Sequence, residues 1–200
     1  MKILVVSDIE SNYIWDFFDK SNFKDVECVI SCGDLKSSYL EFLVTMLAVP
    51  VFYVHGNHDT HYLKTPPDGC DSIEDKVINF RGVRIGGLGG SIEYNKKEFQ
   101  YTERQMARRV RRLIRCAKGS PIDILVTHSP TSGLGDDPES HCHKGFKCFY
   151  KLYDKITPKF HLYGHNHLTY GSTSKRILEY NGIQVINGYN YYILDVEPSS

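Results

Sequence analysis

The chain has 200 residues, 41% hydrophobic and 24% charged, with 24 Lys plus Arg balanced by 24 Asp plus Glu. This length suits one domain over residues 1–200 with a core that buries roughly 70% of the surface exposed when unfolded, and the composition excludes a disordered tail or a collagen-like repeat. The charge balance excludes a global field that would draw the chain to nucleic acid or membrane, and no apolar run approaches the roughly 18 residues of a membrane-spanning helix. The opening MKILVVSDIES has too short an apolar core for a signal peptide, which points to a cytoplasmic protein. Six cysteines are too sparse for a disulfide scaffold, so free thiols are expected. Cys28 and Cys32 are expected to pack as small hydrophobes.

Lys2–Val6 has the β-branched run of a strand buried on both faces, and Tyr13, Ile14, Phe17 and Phe18 follow at helical spacing. Val26–Ser31 predicts a second strand. Ser38 and Glu41 have capping-box spacing for a helix reaching about Met46, and Pro50 separates it from a third strand, Val51–Val54. Lys76–Phe80 and Val83–Leu88 flank Arg81-Gly82 as a hairpin, with a glycine cluster at its end. Thr102 and Gln105 predict another capping box. The helix it opens places Met106, Val110, Leu113, Ile114 and Ala117 on one face and Arg104, Arg108, Arg111 and Arg115 on the other. Ile122–Thr127 predicts a buried strand, 129–144 a polar loop, Phe146–Lys155 a helix and Phe160–Tyr163 a strand. Thr169–Val196 reads as a β-meander turning at Asn181-Gly182.

Five predicted strands are followed by residues able to ligate metal: Asp8 and Glu10, then Gly33-Asp34, Gly56-Asn57-His58-Asp59, His128, and Gly164-His165-Asn166-His167. Alone, a Gly-Asp is usually a turn, and a His at a strand end is usually hydrogen-bonded in a core or on a surface. Together and in order they point to one site, since α/β sheets bind ligands beyond the carboxyl ends of their strands. Carboxylate, carboxamide and imidazole donors suit Mn²⁺, Fe or Zn²⁺. Ser91 and Ser129 lack a Gly-x-Ser-x-Gly elbow, which leaves no serine nucleophile motif.

In these five clusters the chain resembles the calcineurin-like metallophosphoesterase superfamily, in its small bacterial single-domain form. The resemblance spans nearly the whole chain. It implies an α/β fold, a four-layer α/β/β/α sandwich, with a dinuclear centre of divalent metals, Mn foremost and Fe, Zn or Ni possible, that hydrolyses a phosphomonoester or phosphodiester. It implies that Asp8 and His167 bind a first metal, that Asp34 bridges, and that Asn57, His128 and His165 bind a second. His58 is implied to face the substrate phosphate as a catalytic residue, with Asp59 orienting it.

The chain departs from the pattern at Glu10, where the family has His. Glu10 is expected either to be an oxygen ligand to the first metal or to be a solvated residue at the start of a helix. His143 lies in His143-Lys144-Gly145-Phe146, similar to a His-x-Gly-Phe loop of the small bacterial members, and is a candidate substrate contact or a surface His. The basic face between Arg104 and Lys118 reads as solvated; nucleic acid is a possible but unindicated partner, because interleaved aromatics are absent there. The expected partner is a small phosphorylated or nucleotide-like substrate, with no membrane and no partner protein required. The competing reading is a non-catalytic module of this fold that binds a protein and has a degraded first metal site.

Overall fold

A computed structural model describes residues 1–168 and 175–197. The elements are β1 (Lys2–Ser7), α1 (Asn12–Trp15), β2 (Val26–Ser31), α2 (Ser37–Leu47), β3 (Val51–Tyr53), β4 (Cys70–Ser72), β5 (Val77–Phe80) and β6 (Val83–Leu88). There follow β7 (Ser91–Ile92), β8 (Gln100–Tyr101), α3 (Glu103–Cys116), β9 (Ile124–Thr127), α4 (Tyr150–Ile156), β10 (Phe160–Tyr163), β11 (Ile177–Tyr180), β12 (Ile183–Asn187) and β13 (Asn190–Asp195).

The strands form two main sheets, ordered β13-β1-β2-β3-β4 and β11-β12-β10-β9-β6-β5. The side-chain alternation of a strand explains why β1 is apolar on both faces. Ile3 and Val5 join Ile85, Ile124, Val126 and Leu162 in a core between the sheets, while Leu4 and Val6 pack with Ile14, Leu40 and Leu43 of α1 and α2. On the other side, Met106, Val110 and Leu113 of α3 and Leu152 and Ile156 of α4 cover Leu125 and Val185. Three cores between four layers make the α/β/β/α sandwich. Cys28 and Cys32 lie buried in the central core as free thiols. No helix among the described residues is long and apolar enough to cross a membrane.

Several local expectations are corrected. The first helix is a single turn, Asn12–Trp15, whose N-cap Ser11 makes no side-chain cap bond; Phe17 beyond it is exposed. The capping box at Ser38 does not form. The N-cap is Lys36, two residues earlier, and Glu41 instead accepts the N–H of Asp68 at 3.1 Å. Thr102 and Gln105 do form theirs. The segment from Phe146 is split into a 3₁₀ turn, Lys147–Phe149, and α4. Arg109 leaves the solvated basic face to pair with Glu74 and Asp75, while Arg112 pairs with Asp75 and stays exposed. The C-terminal meander is a hairpin of β11 and β12, after which β13 crosses to the other sheet and pairs antiparallel with β1. The first residues of that expected meander, 169–174, lie outside the described residues.

Candidate metal centre

The residues after β1, β2, β3 and β10 meet at one rim of the sandwich. Asp8, Asp34, Asn57, His58, His165 and His167 line a single cavity of about 250 Å³, together with Tyr94, Cys142 and His143. His128, at the end of β9, lies fully buried against Asp34 and Asn57. All six candidate ligand residues, and His58, are thus assembled from strand ends of both sheets.

The backbone is bent to do this. Asp8, Asp34 and His165 have φ of 68°, 59° and 68°. Such left-handed positions cost roughly 1–2 kcal/mol per residue and cluster where surrounding structure enforces them. The loops also pack too closely for side chains: a Cβ on Gly56 would fall 1.9 Å from Asp34 Oδ1. Backbone amides fix the carboxylates. His58 N–H donates to Asp34 Oδ1 at 2.7 Å, and His165 N–H donates to Asp8 at 2.9 and 3.0 Å from its two oxygens.

Two histidine tautomers follow from their carbonyl partners, since a carbonyl only accepts. His128 Nδ1 lies 2.8 Å from Cys32 O and must carry the proton, leaving Nε2 to face Asp34 Oδ2 at 3.2 Å and Asn57 Oδ1 at 3.0 Å. His165 Nε2 lies 2.5 Å from Cys142 O, which leaves the lone pair on Nδ1. One ligand atom from each of Asp34, His128 and His165 falls within 4.8 Å of the others. A carboxylate oxygen and two imidazoles in one cluster, with the Asn57 carboxamide oxygen beside His128, form a donor set that suits a cation.

A proton supplies part of that charge. Burial opposes ionisation of His128, but Asp34 outweighs it and holds the imidazole up to about 9. Burial likewise works against the Asp34 carboxylate, yet His128 and the His58 amide hold it down to about 2. Burial raises the carboxyl of Asp8. Burial pushes His165 down to about 3, with His128 adding to the shift, which keeps its imidazole neutral and able to ligate. A divalent cation would be held by the same atoms, so the donor set fits a Mn²⁺, Fe, Zn²⁺ or Ni²⁺ centre.

Two predicted residues are placed elsewhere. Glu10 does not line the cavity; its Oε1 accepts the N–H of Lys36 at 3.1 Å and lies 3.8 Å from the Lys36 ammonium. The carboxylate of Asp59 is buried and turned to the backbone rather than to the His58 ring. Its Oδ2 accepts Asp34 N–H at 2.8 Å and Gly56 N–H at 2.7 Å. Burial and the neighbouring Asp34 push that carboxyl up to about 7. His143 is in the cavity wall, 3.1 Å from Ser140 Oγ, and burial lowers its pKa. Sequence reasoning missed Tyr94, whose hydroxyl lies 3.0 Å from Asn57 Nδ2. No spacing in the sequence marks it, because it reaches the site from the turn between β7 and β8.

A family model for calcineurin-like phosphoesterases matches residues 1–168. The chain belongs to the calcineurin-like phosphoesterase family. Solved structures of similar fold include TT1561 of Thermus thermophilus, with a TM-score of 0.65 and 17% identity over 94% of this chain and 89% of that one. A phosphopantetheinyl hydrolase from Mycobacterium tuberculosis has a TM-score of 0.58 and 16% identity, covering 94% and 88%. A dimetal phosphatase from Danio rerio has 0.56 and 13%, covering 94% and 86%. A curated UPF0046 protein of Caenorhabditis elegans is 28% identical over 103 residues, 51% of this chain, and the match spans only 25% of that protein's length.

Proposed function

We propose that this phosphoesterase hydrolyses a phosphomonoester or phosphodiester with two divalent cations, Mn²⁺ foremost, acting as one domain in the cytoplasm on a small phosphorylated or nucleotide-like substrate. Six free cysteines suit a reducing compartment. The observation that carries the reading is the convergence of ligand atoms from Asp34, His128 and His165, with Asp34 and His165 lining the cavity.

Asp8 and His167 would hold the first cation, Asn57, His128 and His165 the second, and the two oxygens of Asp34 would serve both. Two divalent cations held there would supply Lewis acidity to activate water and neutralise phosphoryl charge. The chain's own residues do the rest. His58 is exposed and lines the cavity, its backbone anchored on Asp34, and there it would protonate a leaving oxygen. Asp59 and the Gly56 contact keep that loop registered against Asp34. Every group comes from this chain, so no partner protein is needed to complete the site.

The test is turnover of paired chromogenic mono- and diester substrates with Mn²⁺, Fe²⁺, Zn²⁺, Ni²⁺ and Mg²⁺, with metal content measured on the same sample. Metal-dependent hydrolysis that chelation abolishes is expected. Bound metal with no hydrolysis of either ester would favour the non-catalytic module.

A further inference from the structure

Tyr94 has a position that the family motifs do not explain. A carboxamide donates only through its nitrogen and accepts only through its oxygen. Asn57 Nδ2 donates to the Tyr94 hydroxyl at 3.0 Å, and this keeps Asn57 Oδ1 turned toward His128, at 3.0 Å from Nε2. The phenol oxygen is thereby used as an acceptor. Its own O–H proton has no acceptor among the described residues, and the ring lines the same cavity as Asp34, His58 and His165.

The hydroxyl is also held in place. Gln100, buried at 7% exposure, accepts the N–H of Tyr94 at 3.2 Å and of Asn95 at 3.1 Å through Oε1. Its Nε2 donates to Asn95 Oδ1 at 2.6 Å, and Gln100 itself pairs with Ser91 in the two-stranded β7–β8 ribbon. A single buried amide therefore fixes the turn that carries Tyr94. Donors preorganised in this way are effective toward charge that develops on an oxyanion.

We propose that Tyr94 is a substrate-binding catalytic residue: its phenol donates a hydrogen bond to a non-bridging phosphoryl oxygen while it orients the Asn57 carboxamide. This rests on the phosphoesterase reading and deepens it. The ligand class is a phosphoryl group with a free anionic oxygen, present in monoesters and diesters alike. No proton is transferred and no bond is made or broken by Tyr94; it contributes a neutral donor beside His58.

The test is Tyr94→Phe, which keeps the ring and removes only the hydroxyl. Inorganic phosphate binding to the metal-loaded protein is measured by calorimetry, alongside metal content, thermal midpoint and kcat/KM. One hydrogen bond to a charged oxygen corresponds to a loss of roughly 10- to 100-fold in phosphate affinity and in kcat/KM, with midpoint and metal content retained. Gln100→Leu, which keeps the phenol but frees its turn, is expected to weaken phosphate binding in the same direction by less. Unchanged phosphate affinity and kcat/KM in Tyr94→Phe would overturn the proposal while leaving an active phosphoesterase. Loss of metal with unchanged phosphate affinity of the loaded fraction would overturn the donor role and reduce Tyr94 to a brace for Asn57. A wild-type protein with neither hydrolysis nor metal-dependent phosphate binding would remove the underlying reading itself.

Discussion

The Asp59 carboxylate accepts the backbone N–H of Asp34 at 2.8 Å, through the same oxygen that accepts the N–H of Gly56 at 2.7 Å. One side chain thus ties the loop after β2 to the loop after β3, and each loop carries a candidate ligand. Asp59→Ala would leave two buried amides without an acceptor, each worth about 1–3 kcal/mol. The expected loss is about 2–6 kcal/mol in urea unfolding, with a smaller loss for Asp59→Asn, which retains an oxygen. Unchanged stability in Asp59→Ala, with only turnover affected, would restore the role of orienting the His58 ring.

Glu10 is engaged with Lys36 instead of the cavity. Glu10→Ala should therefore leave bound metal and turnover at wild-type levels. Preferential loss of one metal ion from that variant, measured by elemental analysis, would make Glu10 a ligand after all.

The convergence of the candidate ligand residues was legible in the sequence because each follows a short apolar strand, and strand ends are where an α/β sheet presents side chains. Asp8, Asp34, Asn57, His128, His165 and His167 all come together as that logic requires. Features set by tertiary contacts were not legible. Glu41 has capping-box spacing from Ser38, yet it is taken by Asp68. Arg109 lies in a run of basic residues that reads as a solvated face, yet the acids that bind it, Glu74 and Asp75, are more than thirty residues earlier. The hairpin after Asn181-Gly182 is local and was readable; the crossing of β13 to pair with β1, near the opposite end of the chain, is not encoded by any local pattern.

Arg109 supports a stability prediction of its own. Its guanidinium pairs with Glu74 and Asp75, donates to Gly89 O at 2.8 Å and lies over the Tyr101 ring at 4.5 Å. Glu74 in turn accepts the N–H groups of His55 and Gly89 beside the Asn57 loop. Removing one partner of a largely buried pair costs about 3–5 kcal/mol. Arg109→Met should approach that loss, whereas exposed Arg111→Met should change stability by less than about 0.5 kcal/mol. Equal effects of the two substitutions in chemical denaturation would contradict the assignment.

His161 predicts a pH dependence. Thr127 donates its O–H to Ser129 O at 2.6 Å, so His161 Nε2–H must donate to Thr127 Oγ1 at 2.7 Å. Nδ1 then accepts from the Tyr153 hydroxyl at 2.7 Å, and the ring is neutral. Burial pushes His161 from an ordinary 6.5 down to about 3. Below pH 6.5 the unfolded chain gains a proton that native His161 refuses. Its contribution is therefore fully present above that pH and declines toward about pH 3, by up to about 1.4 kcal/mol per pH unit. Urea unfolding from pH 7 to 4 should show a shallower decline for His161→Gln than for the wild type; identical slopes would mean that His161 is charged in the native state.

In the proposed hydrolytic site, Asp34 would be shared by two cations. The most direct test is bound Mn²⁺ per chain and ester turnover, measured on the same samples of wild type and Asp34→Asn. The carboxylate would offset repulsion between two dications, which an amide cannot do with charge. The wild type should hold two metal ions per chain and hydrolyse ester, and Asp34→Asn should lose metal and all measurable turnover. Wild-type turnover with two metal ions per chain in Asp34→Asn would contradict the dinuclear account.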